Sequence, residues 1–147
     1  MPLGKKVILV DDDQDDCMLF EDAMNDIGML SQLKVANDGE KLFQIISSQS
    51  PCFPDLIFLD LNMPKMNGYE CISKLRNSAL LKCIPIVVFS TINQVEMIDW
   101  VYYNGANLFV NKPNSYFKLK ETIRNVVNIN FKEESFKNSR KHFIYKF

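Results

Sequence analysis

Five short apolar runs alternate with five stretches of helical periodicity along this chain. Lys6 to Val10, Gln32 to Ala36, Leu56 to Leu59, Ile86 to Phe89 and Leu108 to Asn111 read as strands. The spacing predicts a first helix over Asp15 to Ile27, with Leu19, Phe20, Ala23, Met24 and Ile27 on one face, and a second over Glu40 to Ser48 burying Leu42, Ile45 and Ile46. A third comes after Asn67-Gly68 and carries Ile72 and Leu75. The fourth covers Asn93 to Tyr103, with Val95, Ile98 and Val101 or Tyr102 inward, and the fifth covers Tyr116 to Asn130 on a stripe of Leu119, Ile123, Val126 and Val127. Gly28 and Gly105 suit the ends of the first and fourth helices. A continuous run such as Ile86-Val87-Val88-Phe89 fits a strand covered on both faces. Strict alternation of strand and helix implies a parallel sheet with right-handed crossovers, hence a five-stranded doubly wound α/β domain.

Length and composition narrow this picture. The chain has 147 residues, 47% of them hydrophobic, enough for one domain with a real core. Seventeen basic and eighteen acidic residues nearly cancel, so neither nucleic acid nor an anionic membrane is expected as the main partner. Four apolar residues before Asp11 are too few for a signal peptide or a membrane span. Cys17, Cys52, Cys71 and Cys83 form no Cys-x-x-Cys pair and the single His142 is distant, which argues against zinc and for free thiols in a cytoplasmic setting. The segment after Asn130 is too short for a second domain.

The chemistry lies at the strand ends. Asp11-Asp12-Asp13 comes after the first strand, Asp60 after the third, Ser90-Thr91 after the fourth and Lys112-Pro113 after the fifth. Taken singly, each has a plainer reading. The acidic triplet suits a turn and helix cap, with Asp13 capping the first helix or standing at the mouth of a site. Thr91 suits a cap for the fourth helix, and Lys112 a solvated lysine before a loop proline. Together they deliver polar groups to the carboxyl edge of one parallel sheet, where such sheets build sites. Crowded carboxylates repel, and a hard divalent cation such as Mg²⁺ relieves the repulsion while keeping room for phosphate oxygens.

Val10-Asp11-Asp12, Asp60-Leu61-Asn62-Met63-Pro64 with Gly68, Ser90 and Lys112-Pro113 resemble the receiver domain of two-component response regulators, over about Lys5 to Asn130. The resemblance implies a flavodoxin-like (βα)5 sheet of order 2-1-3-4-5. It implies Asp60 as acceptor of a phosphoryl group from a histidine kinase or phosphotransfer protein. Asp12 would bind Mg²⁺ directly, Asp11 mainly through water and Asn62 through its backbone carbonyl, with Asp60 completing the set. Lys112 and Ser90 would contact the phosphoryl oxygens. Ser90 and Phe109 would form the switch, and the fourth helix, fifth strand and fifth helix the output face, open to a downstream protein or a second copy. Such a domain is not an enzyme beyond assisting its own phosphorylation and dephosphorylation. Asn62 and Ile92 occupy positions that tune hydrolysis in the family. Ile92 cannot hold a water, which implies a long-lived phosphoryl state.

The tail from Phe131 to Phe147 mixes Phe131, Phe136, Phe143, Tyr145 and Phe147 with Lys132, Lys137, Arg140, Lys141 and Lys146. It is expected to pack within the molecule or in a dimer, rather than to fray or bind nucleic acid. With no output domain encoded, the chain is expected to be a stand-alone receiver, similar in style to single-domain regulators that partner phytochrome-type or hybrid sensor kinases. Two other classes stand beside this one. A haloacid dehalogenase-like phosphatase would need an acid two residues after the nucleophile, where this chain has Asn62. An unphosphorylated scaffold would be expected to lack an acid, the acceptor or the lysine, and all are present.

Overall fold

A computed structural model describes residues 5–29, 32–50, 52–132 and 140–146. The strands β1 (Val7–Val10), β2 (Leu33–Ala36), β3 (Leu56–Leu59), β4 (Ile86–Ser90) and β5 (Leu108–Asn111) alternate with the helices α1 (Gln14–Asp26), α2 (Gly39–Gln49), α3 (Gly68–Arg76), α4 (Val95–Tyr103) and α5 (Tyr116–Val127). All pairings are parallel and the order is β2-β1-β3-β4-β5. This is the flavodoxin-like arrangement expected from the sequence.

The strands β1, β3 and β4 are buried along their whole length because both faces are covered. Ile8, Val10, Ile57, Leu59, Ile86 and Val88 meet Leu42 of α2, Ile72 and Leu75 of α3, and Ile98 and Val101 of α4. Val7, Leu9, Phe58, Val87 and Phe89 meet Phe20 and Met24 of α1, and Ile123 and Val126 of α5. In the second layer Phe20, Phe58 and Phe89 pack edge to face, with centroids 5.0 to 5.9 Å apart. Period-two alternation thus sorts each strand's side chains between two helical layers.

Several expectations need correction. The inward stripe of α1 is Cys17, Phe20, Ala23 and Met24, whereas Leu19 is exposed, because it stands on the flank of that stripe, about 100° round the helix from Phe20. Helix α4 starts at Val95, which is 62% exposed, and its buried residues are Ile98 and Val101. Gln94 is its N-cap, without a side-chain cap bond, so Thr91 does not serve there. Helix α5 ends at Val127, short of Asn130. Gly28 (φ 78°) and Gly105 (φ 108°) come after α1 and α4 as expected.

The described part of the tail packs within the molecule. Residues 140–146 lie along the outer edge of β5: the Phe109 N–H donates to the Phe143 carbonyl at 2.9 Å, and the Tyr145 N–H donates to the Phe109 carbonyl at 2.8 Å. Phe143 is buried against Tyr102. Arg140 pairs with Asp99 of α4, and Asn125 of α5 donates to the Tyr145 hydroxyl, so the segment bridges the two helices across β5. Phe131 is also buried, whereas Phe136, Lys137 and Phe147 fall outside the described residues.

Candidate functional site

The strand order reverses between β1 and β3, and the side chains just beyond them face one cleft. Asp11 continues β1 with its N–H on the Ala36 carbonyl at 3.0 Å, and Asp60 continues β3 with its N–H on the Val10 carbonyl at 2.9 Å. These ladder bonds fix both backbones rigidly. Carboxylate oxygens of Asp11, Asp12 and Asp60 lie within 4.8 Å of one another. Asp11 and Asp60 are buried and Asp12 is exposed. An all-oxygen set of this kind fits a hard divalent cation that keeps part of its water shell.

Burial pushes the Asp11 carboxyl up to about 6, and its bonds to Lys112 and to the Asp13 N–H offset this only in part. Lys112 reaches the same cleft from the end of β5. Its Nζ lies 2.7 Å from Asp11, 2.8 Å from Asp16 and 3.6 Å from Asp60. Burial opposes its charge, but the carboxylates around it win and hold the ammonium above its ordinary value.

Asp13 caps α1, accepting from the Asp16 N–H at 3.1 Å, so the acidic triplet divides into two site residues and a cap. Asp60 Oδ1 accepts from the Leu61 N–H at 2.9 Å, which leaves Oδ2 facing Lys112. Gly68 starts α3 directly under this loop. A Cβ there would overlap the Asp60 carbonyl oxygen and stand 2.7 Å from Leu61 Cα, so a side chain would push on the Asp60 backbone. Asn62 is exposed on the same loop.

Ser90 is buried at the end of β4, and its Oγ accepts from the Ile92 N–H at 3.2 Å. Its carbonyl accepts from the Lys112 N–H at 3.0 Å, which ties the serine and lysine strands together. Ile92 is half-buried beside it, and Phe109 is fully buried in β5. Asp16 is a member of the cleft that the sequence does not announce. Its only signal is an acid three residues after the α1 cap, and its partner is 96 positions away.

A family model for the response regulator receiver domain matches residues 7–124. The chain belongs to that family. A methanogenesis regulatory protein described as probable, FilR2 of Methanothrix harundinacea, is 28% identical over 123 residues, 82% of this chain and 79% of its own length. Among solved structures, the phosphorylated cyanobacterial phytochrome response regulator RcpA is similar with a TM-score of 0.75 at 28% identity, over 83% of this receiver and 90% of RcpA. The Mn²⁺-bound form of response regulator Rcp1 gives 0.71 at 25% identity, over 83% of this receiver and 91% of that chain. Receiver domains serve two-component signalling, and this one has the acidic cluster that their divalent cation uses. No described helix is long and apolar enough to cross a membrane.

Proposed function

We propose that this receiver accepts a phosphoryl group on Asp60 from a histidine kinase or phosphotransfer protein and acts as a phosphorelay switch in the cytoplasm. The observation that carries the reading is the convergence of Asp11, Asp12 and Asp60 with Lys112 at one point. The Asp60 carboxylate attacks phosphorus, a P–O bond forms, and the bond to the donor breaks with its electron pair leaving on the donor. Asp12, Asp11, Asp60 and the Asn62 carbonyl would hold Mg²⁺, which supplies charge neutralisation for the transferring group. Lys112 adds a positive point charge to the phosphoryl oxygens.

Ser90 then swings toward the phosphoryl group, giving up the Ile92 N–H it now accepts from. Phe109 moves after it by packing alone, having no hydroxyl to report its position. Its backbone is already bonded to the tail segment, so a downstream protein meets an α4–β5–α5 face on which residues 140–146 cover the β5 strip. A homodimer through that face would pack α4 and α5 around the same segment. Ile92 shields the acyl phosphate, and Ile92→Glu is expected to shorten its life several-fold. Decay no faster than wild type would end the shielding idea.

The direct test is intact mass after incubation with Mg²⁺ and acetyl phosphate. A Mg²⁺-dependent adduct in wild type that is absent in Asp60→Asn is the expected result. An adduct that persists in Asp60→Asn would move the acceptor elsewhere.

A further inference from the structure

Lys112 has three N–H donors, and two are taken up by carboxylates that are not the acceptor. Asp11 holds one at 2.7 Å and Asp16, from the first turn of α1, holds another at 2.8 Å. Asp60 lies at 3.6 Å, an ion-pair distance too long for a hydrogen bond. The ammonium is thus drawn toward α1 and away from Asp60, while its third N–H remains for a group seated on Asp60. Asp16 can do this because the Asp13 cap fixes its backbone: the Asp16 N–H is bonded to the Asp13 side chain. The lysine side chain is 11% exposed and that of Asp16 37%, so this pair closes one wall of the cleft.

We propose that Asp16 is a positioning residue for phosphoryl transfer, holding the Lys112 ammonium off the Asp60 carboxylate until a phosphoryl group arrives. The inference rests on the reading of Asp60 as acceptor. Without Asp16, the ammonium has Asp11 and Asp60 as its remaining partners and settles on the nucleophile. That pairing masks the attacking oxygen and misplaces the cation for the transferring group, and small displacements of this kind are expensive in rate.

The test compares Asp16→Asn with Asp15→Asn. Both remove one negative charge from the same helical turn, but Asp15 is exposed and is not one of the carboxylates paired with the lysine, so the comparison cancels the long-range field on an anionic donor. With Mg²⁺ and acetyl phosphate, Asp16→Asn is expected to be phosphorylated about tenfold more slowly than Asp15→Asn. Its apparent Mg²⁺ affinity should stay within about twofold, because Asp16 stands outside the three-carboxylate cluster. A second readout needs no metal. In protein labelled at lysine nitrogens, the Lys112 ammonium resonance should move in Asp16→Asn and stay in place in Asp15→Asn. Equal phosphorylation rates in the two variants, or an unmoved Lys112 resonance, would overturn the proposal. Loss of the Asp60-dependent adduct in wild type would instead overturn the acceptor reading, and the resonance shift would still report on the Asp16 contact.

Discussion

Two cations lie at opposite ends of the same sheet and are held in opposite ways. At the amino end of β4 and β5, the Arg76 guanidinium donates to the carbonyls of Gly105, Lys82 and Ile84 at 2.8 to 3.1 Å, and to the Asn107 side chain at 2.9 Å. All of these partners are neutral, and the same Asn107 oxygen also accepts from the Ile86 N–H. At the carboxyl end, Lys112 is shared among Asp11, Asp16 and Asp60. The guanidinium fork matches fixed carbonyls and gains nothing by moving. The lysine is a point charge amid an excess of acids, so a divalent cation or a phosphoryl group can redistribute it. A cation with satisfied neutral partners is held in one place, and one shared by surplus charge can be shifted when a new ion arrives.

Substitutions at the two ends should separate these roles. The largest effect is expected for Lys112→Ala in metal-free protein. Leaving buried carboxylates without their cation should cost about 3 kcal/mol of unfolding free energy in urea. Millimolar Mg²⁺ should restore most of that loss, as expected of a cation held by the folded cluster alone. Arg76→Leu should cost about 2–3 kcal/mol through its orphaned acceptors, with no recovery by Mg²⁺ and a phosphorylation rate within about twofold of wild type. Recovery of Arg76→Leu by Mg²⁺ would erase the distinction between the two ends.

Gly68→Ala should lose about 1–2 kcal/mol by overpacking against the Asp60 loop and should also slow phosphorylation, since the strain falls on the backbone of Asp60, the proposed acceptor. The smallest effect concerns pH. Asp11 titrates at about 6 when folded, above its ordinary value of 3.8, so the folded state takes up a proton more readily than the unfolded chain. Its ionised form therefore costs stability above pH 6, and that cost is relieved as pH falls from about 6 toward 4. Mg²⁺ needs the ionised form, so its affinity should fall over the same interval in a calorimetric titration. An affinity that holds constant across that whole interval would mean that Asp11 stays ionised.

Much of this was legible in the chain. Runs such as Ile86-Val87-Val88-Phe89 have no other economical fate than a strand between two helical layers, and their ends name the residues of the cleft. The Arg76 and Asp16 contacts were not legible, because each joins a helix to distant chain: Arg76 to Asn107 across 31 positions, Asp16 to Lys112 across 96. On a helical projection both look like ordinary solvated charges. Val95 and Leu19 misled for a related reason, since periodicity identifies an apolar face but not where the neighbouring element stops covering it.

The segment running beside β5 also limits how copies of this molecule can join. A parallel sheet has two lateral edges, and here one carries the protein's own residues 143–145. The other is β2, with no strand paired outside it among the described residues. Among the described residues, strand addition therefore has one open edge, β2. Two such edges can meet and close a pair, but a unit with a single open edge cannot propagate, so growth into a filament stops at its first step.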